Sequence, residues 1–222
     1  MCDFCGIAKK GKIMALELRS CDVGPWGTHS YALVCPETNE SVLIDPGNEP
    51  EKLTAMLGDS KATAIWVTHT HMDHVDALAE MKERLNVPVL AWAGVRDGAI
   101  SRQINPDQAI DDGDRLQVGN YAVNVIYTPG HSDDMLCFML ENDHRVIVGD
   151  TIFEGGPGRT WSHEDFKTTL KTLRNIIVTW PDDKVCYPGH GPYFRLGDQR
   201  AAILGFLAKD HGQFQGDAEW GM

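Results

Sequence analysis

Residues 68–74 read Thr68-His69-Thr70-His71-Met72-Asp73-His74, THTHMDH, and follow directly on the apolar run Ala64-Ile65-Trp66-Val67. Three histidines and one aspartate at the end of a strand-like run decide how the rest of the chain is read. In an extended segment alternate side chains point the same way, so His69 and His71 can grip one ion together. The chain then turns into a helix that starts near Val75. Asp73 and His74 lie on that turn and face a second position. Imidazole and carboxylate together suit zinc, iron or manganese, and no thiolate is offered at these points.

The same placement recurs along the chain. VLIDPG ends a strand with Asp45, and RVIVGD ends one with Asp150. VIYTPGH and KVCYPGH each end in a Pro-Gly turn and a histidine, His131 and His190. A strand end is rigid and the loop beyond it is open, so one sheet edge can carry several ligands. Two adjacent ions, sharing some of about four ligands each, need about six to eight in all. The chain supplies seven: His69, His71, His131, Asp73, His74, His190 and a shared Asp150, whose charge would separate two like-charged ions. The other histidines, His29, His144, His163 and His211, are read as solvated or structural.

Composition narrows the partners. The balance of 20 basic against 32 acidic residues gives a net charge of −12. That field repels polyanions and anionic membranes, and no basic block marks a nucleic-acid face. No run approaches the roughly 18 apolar residues of a membrane span. Met1 to Gly11 lacks the apolar core of a signal peptide, and the six cysteines are scattered, so they are read as reduced thiols of a cytoplasmic protein. Cys2 and Cys5 form a CxxC with no second pair to complete a zinc site, and are taken as two thiols on a mobile end.

Strand-like runs fall near 13–18, 30–35, 41–44, 64–68, 87–91, 115–118, 121–127, 135–140, 145–149 and 184–187. Helical periodicity marks 50–57, 75–85, 163–177 and 198–208, with Ser162 and Asp165 as a capping pair before the third. Residues 1–12 are expected to be a mobile N-terminal segment, 13–210 one domain of helices covering sheets, and 211–222 a frayed tail.

At these motifs the sequence resembles the metallo-β-lactamase superfamily, over roughly residues 13 to 195. The resemblance implies an α/β fold, a four-layer αβ/βα sandwich of two mixed β-sheets flanked by helices, with metals at one edge. It makes Asp45 a structural aspartate. It assigns His69, His71 and His131 to a first metal, Asp73, His74 and His190 to a second, and Asp150 to the bridge. It implies two divalent ions, zinc first and iron or manganese as alternatives.

Among the branches, the β-lactamases carry Cys where Asp150 stands, the flavodiiron proteins carry Glu at the place of His71, and the transfer-RNA nucleases carry an arm not found here. GDTIFEGGPGRT (149–160) looks most like the glyoxalase II branch, in which a basic residue at the place of Arg159 contacts the glutathione moiety. Only residues 191–222 follow the last ligand, too few for the helical domain of full-length glyoxalase II, so another thiol carrier is open. The implied activity is hydrolysis of a small 2-hydroxyacyl thioester by a metal-bridging hydroxide, with Asp73 and Asp150 as the catalytic carboxylates. The alternatives are a persulfide dioxygenase with one iron on His69, His131 and Asp150, a lactonase, and a non-catalytic member. The expected partner is a small-molecule thioester, with no nucleic acid and no membrane; a homo-oligomer is left open.

Overall fold

The computed structural model describes residues 15–92, 94 and 101–222. Its strands form two mixed sheets of six. The first runs β1 (Glu17–Val23), β2 (Thr28–Val34), β3 (Glu40–Ile44), β4 (Lys61–Trp66), β5 (Val89–Ala91) and β6 (Gln108–Ala109), in that order. Its first two pairings are antiparallel and the remaining three parallel. The second sheet contains β7 (Arg115–Val118), β8 (Tyr121–Tyr127), β9 (Leu136–Leu140), β10 (Arg145–Gly149), β11 (Val185–Pro188) and β12 (Phe194–Arg195), from β12 at one edge to β7 at the other. Only β10 and β11 pair in parallel.

The two-residue period of the strands builds the layers. Val42 and Ile44 of β3 point between the sheets, where Trp66 meets Phe138 at 5.3 Å between ring centroids. Leu43, between them, points the other way with Ile65, onto Leu53 and Leu57 of α1 (Pro50–Leu57) and Leu78 and Met81 of α3 (Leu78–Leu85). On the far side, Val146, Val148 and Cys186 pack on Phe166 and Leu173 of α4 (His163–Asn175) and on Ile203 and Phe206 of α5 (Leu196–Leu207). Each sheet is thus buried on both faces, which gives the four-layer sandwich expected from the motifs. Ser162 caps α4, its Oγ accepting from the Asp165 amide at 3.1 Å.

Several expectations need correction. Of the strand expected over 13–18, residues 13 and 14 lie outside the described residues; the described strand is Glu17–Val23, a hairpin partner of β2 across the turn at Gly24–Gly27. It is an edge strand, and its polar Arg19, Ser20 and Asp22 hide the alternation. Strands β6 and β12 were missed because two residues show no period. The helix read over 75–85 is two pieces, α2 (Met72–Val75) and α3, because the Ala77 amide donates to Pro46 O rather than continuing a single helix. The one read over 163–177 ends at Asn175 in a 3₁₀ turn, Ile177–Thr179.

The largest correction is the C-terminal tail. Far from fraying, it packs Ala218 and Trp220 into the core under α5, each 6% exposed. Its polar, glycine-rich composition concealed one tryptophan anchor. The expected mobile segment 1–12, with Cys2 and Cys5, lies outside the described residues.

Candidate metal centre

The alternation of THTH answers why so much polar chemistry follows β4. The histidines point one way and the threonines the other, and each threonine is pinned by a buried aspartate. Asp45, 1% exposed, accepts from the Thr68 amide at 2.7 Å and from Thr68 Oγ1 at 2.6 Å. Asp134, equally buried, accepts from the Thr70 amide at 3.0 Å and from Thr70 Oγ1 at 2.7 Å. Asp45 sits at φ 52°, a left-handed conformation rare for a non-glycine residue and tolerated here because three hydrogen bonds hold its carboxylate.

The first trio is His69, His71 and His131. His71 Nδ1 lies 3.1 Å from His69 Nε2 and 2.8 Å from His131 Nε2. Their partners assign the tautomers. Thr68 Oγ1 spends its proton on Asp45, so it accepts from His69 Nδ1 at 3.1 Å. His131 Nδ1 donates to the carbonyl of Arg159 at 2.8 Å. Both Nε2 atoms therefore present lone pairs toward His71 Nδ1, which can offer a proton to only one of them. Two nitrogens on one tetrahedral zinc stand about 3.3 Å apart, close to these separations. Burial, and then neighbouring imidazoles, push His69 well below its ordinary range, and burial followed by His131 brings His71 down to about 3. His131 is also lowered, mainly by burial. Neutral imidazole is the form that ligates.

The second trio is Asp73, His74 and His190. His74 Nδ1 donates to Asp45 Oδ2 at 2.9 Å, which frees Nε2 to face Asp150 Oδ1 at 3.4 Å. Neither of those two buried atoms has a hydrogen-bond partner. His190 is held by its Nδ1, which donates to Trp26 O in the β1–β2 turn at 3.3 Å; its Nε2 lies 3.1 Å from Asp73 Oδ2. Thr28 Oγ1 donates to that same oxygen at 2.9 Å. Burial opposes charge on His74, but Asp150 and Asp45 outweigh it and raise its pKa well above the ordinary value. Burial is likewise the largest single influence on Asp73 and works against its charge, but the bond to His190, the charge of His74 and the bond from Thr28 together outweigh it and bring it to about 2. For Asp150 burial is again the largest influence, and His74 with the other imidazoles overrides it to hold the carboxylate well below its usual range. This half of the site favours positive charge.

Asp150 stands between the halves. Its Oδ2 lies 3.4 Å from His131 Nε2 and 3.6 Å from His190 Nε2, while Oδ1 faces His74. The structure thus gathers all seven residues expected as ligands. Two ligand sets have donor atoms within 4.8 Å of one another, His69–His71–His131 and Asp73–His74–His190. Asp45 also approaches His69 and His74 this closely, but its oxygens are already taken by Thr68 and His74. It is the holder of His74, as expected of a structural aspartate. Two orphaned buried atoms, converging lone pairs and an all-nitrogen-and-oxygen donor set fit divalent metal ions.

Close packing leaves no spare room. A Cβ on Gly189 would stand 2.2 Å from Asp150 Oδ1, and one on Gly158 2.0 Å from Asp150 O. The site opens toward solvent beside His190 and Asp73, the two less buried ligands. Trp26, Trp161 and Phe153 surround it: Trp26 is 60% exposed, and the Trp161 and Phe153 rings lie 6.4 Å from His71 and 6.3 Å from His190. Arg159 contributes its carbonyl to His131, but its guanidinium pairs with Asp217 at 2.6 Å. A separate cleft of about 670 Å³ borders Gly191 to Tyr193, walled by Tyr31 and Tyr187.

Thr28, Thr68, Asp134 and the Arg159 carbonyl were missed from sequence. HSDD after the first PGH turn offered a signal for Asp134. Nothing local signals a threonine hydroxyl or a carbonyl. The histidines set aside have structural partners: His29 with Pro188 O, His144 with Asp183, His163 with Phe214 O and His211 with Phe206 O.

The chain is similar to several known proteins. A probable metallo-hydrolase of Bacillus subtilis, YqgX, is 29% identical over 194 residues, covering 80% of this chain and 91% of its own. The hydroxyacylglutathione hydrolase GloC of Haemophilus influenzae is 25% identical over 189 residues, covering 76% and 88%. The di-iron-bound structure of TTHA1623 superposes with a TM-score of 0.68 at 30% identity, covering 81% of this chain and 96% of that one. The B3 metallo-beta-lactamase BLEG-1 shares the fold, with a TM-score of 0.76 at 24% identity over 87% of this chain and all of its own. The family model for the metallo-beta-lactamase superfamily matches residues 23–190, a span that holds all seven candidate ligands from His69 to His190. This chain belongs to the metallo-beta-lactamase superfamily.

Proposed function

We propose that this protein is a cytoplasmic binuclear metal-dependent hydrolase that cleaves thioesters of small 2-hydroxy acids. The observation that carries the reading is Asp150, buried between the two trios, with Oδ2 near His131 of one and His190 of the other and Oδ1 facing His74. The relative named as a hydroxyacylglutathione hydrolase supports the substrate class. His69, His71 and His131 would hold one ion, Asp73, His74 and His190 the other, and Asp150 both. Two such ions supply a water whose pKa falls from 15.7 to about 7 and a Lewis acid for the carbonyl.

The chain's own residues do the rest. Asp45 and Asp134 fix the loop between them, and the Arg159 carbonyl fixes His131. Asp73, with its pKa near 2, stays ionised at neutral pH; it serves as a ligand and as a hydrogen-bond acceptor that orients the water, and has no proton to donate. Trp26, Trp161 and Phe153 wall the opening and exclude water around a bound acyl group. Arg159, whose guanidinium lies over the Trp161 ring, is the proposed contact for the thiol carrier.

Elemental analysis of purified protein, paired with an S-lactoylglutathione assay, tests the reading. Two metals per chain with thioester turnover are expected. One iron per chain, with oxygen consumption on glutathione persulfide and no thioester turnover, would hand the function to the dioxygenase alternative.

A further inference from the structure

The tail is clasped to the loop that follows Asp150. Thr160 and Gly216 exchange backbone hydrogen bonds at 3.0 and 2.9 Å. The Trp220 amide donates to Gly155 O at 2.9 Å and its Nε1 to Glu154 O at 3.1 Å. Ala218 O passes so close to Gly156 that a Cβ there would stand 2.1 Å from it. Asp217 sits between these fastenings. Its Oδ2 accepts from Arg159 Nη1 at 2.6 Å, and the guanidinium lies over the Trp161 ring, 4.9 Å from its centroid. Trp161 in turn faces His71 at the mouth of the first ligand set. The cation proposed to receive an anionic carrier already carries a carboxylate from the chain itself.

We propose that Asp217 is a specificity-determining residue: it occupies the anion position that Arg159 offers, and so selects against thioesters with a carboxylate-bearing carrier in favour of those with an uncharged one. The inference rests on the thioesterase reading for its substrates, although the anion position can be tested without turnover. Asp217 is tethered on both sides by backbone pairs, so it loses little freedom on pairing, and an incoming carboxylate must displace it. The pair is open to solvent, 49% and 73% exposed at its two side chains. An exposed pair of this kind shifts an equilibrium about two- to fivefold, enough to set a preference and too little to abolish binding.

The test uses zinc-loaded full-length protein and S-methylglutathione, an anionic thioether that cannot be hydrolysed. Titration calorimetry compares wild type, Asp217→Asn, the double variant Arg159→Gln/Asp217→Asn, and Glu51→Gln on α1 as a control for net charge. Asp217→Asn should bind about two- to fivefold more tightly, with the gain absent in the double variant and in the control. In parallel, the ratio of KM for S-lactoylglutathione to KM for S-lactoyl-N-acetylcysteamine should fall by a similar factor. A thermal melt checks folding, and Asp217→Ser repeats the measurement if the asparagine variant is unstable. Unchanged binding in Asp217→Asn overturns the proposal, as does an equal gain in Glu51→Gln, a gain that survives in the double variant, or no binding by either protein. Tighter thioether binding in Asp217→Asn, with neither thioester hydrolysed by wild type, would sink the thioesterase reading and leave the anion position standing.

Discussion

Replacing Asp45 with asparagine should weaken one metal position without touching a ligand. The side chain keeps its shape, so Oδ1 can still accept from the Thr68 amide. The new amide nitrogen then takes the place of Oδ2, where it faces Thr68 Oγ1 and His74 Nδ1, both donors in the native protein. Two donors cannot face each other in a site 1% exposed. Thr68 Oγ1 can rotate; His74 cannot. Its proton must move from Nδ1 to Nε2, the atom turned toward Asp150 and Asp73. The second ligand set thereby loses the lone pair of His74 and keeps that of His190.

Altering the partner that orients a ligating histidine costs 10- to 100-fold in metal affinity, or about 1.4–2.8 kcal/mol. Two charge-assisted bonds of about 1.5–3 kcal/mol each are lost as well, less what rotation of Thr68 recovers, so the metal-free protein should lose about 2–5 kcal/mol of stability. Chelator competition followed by metal counting should show one ion held as in wild type and one released early. Long-range ¹⁵N–¹H spectra, taken at a pH high enough for His74 to be neutral, should show its proton on Nε2 in the metal-free variant. Equal affinity at both positions, with the His74 proton still on Nδ1, would refute the reasoning.

Asp150→Asn should abolish turnover and loosen both ions while circular dichroism stays native, since this is the one carboxylate both sets share; loss of a single ion with near-normal activity would show that it is no bridge. Acidification should empty the second position first. His190 has its pKa raised by its bond to Asp73, burial notwithstanding, and His74 is raised further, so protons compete there at higher pH. His69 and His71 are lowered and stay neutral. Stepwise release between pH 8 and 5 under chelator is expected, and simultaneous release counts against it. Gly189→Ala should cut metal content and activity together, because its Cβ would stand 2.2 Å from Asp150 Oδ1 and 2.5 Å from His74 Cε1; metal analysis showing two bound ions would contradict that crowding.

The candidate ligands and the layers were legible in the chain alone. HxHxDH and two PGH turns are local patterns, and strand alternation such as Val42-Leu43-Ile44 records which face each residue takes, because side-chain direction in an extended chain depends only on parity. Those signals survive in one dimension. What needed the tertiary structure were the relations between distant segments. That Thr68 and Thr70 are pinned by Asp45 and Asp134, that the Trp26 and Arg159 carbonyls orient His190 and His131, and that Asp150 stands between the two sets are facts of packing between loops from different strands. The tail shows the same limit from the other side. Residues 211–222 look polar and frayed when averaged over a window, yet one tryptophan bonded to Glu154 and Gly155 fixes the segment, and with it places Asp217 on Arg159. Composition averages over neighbours in the chain, whereas burial depends on neighbours in space.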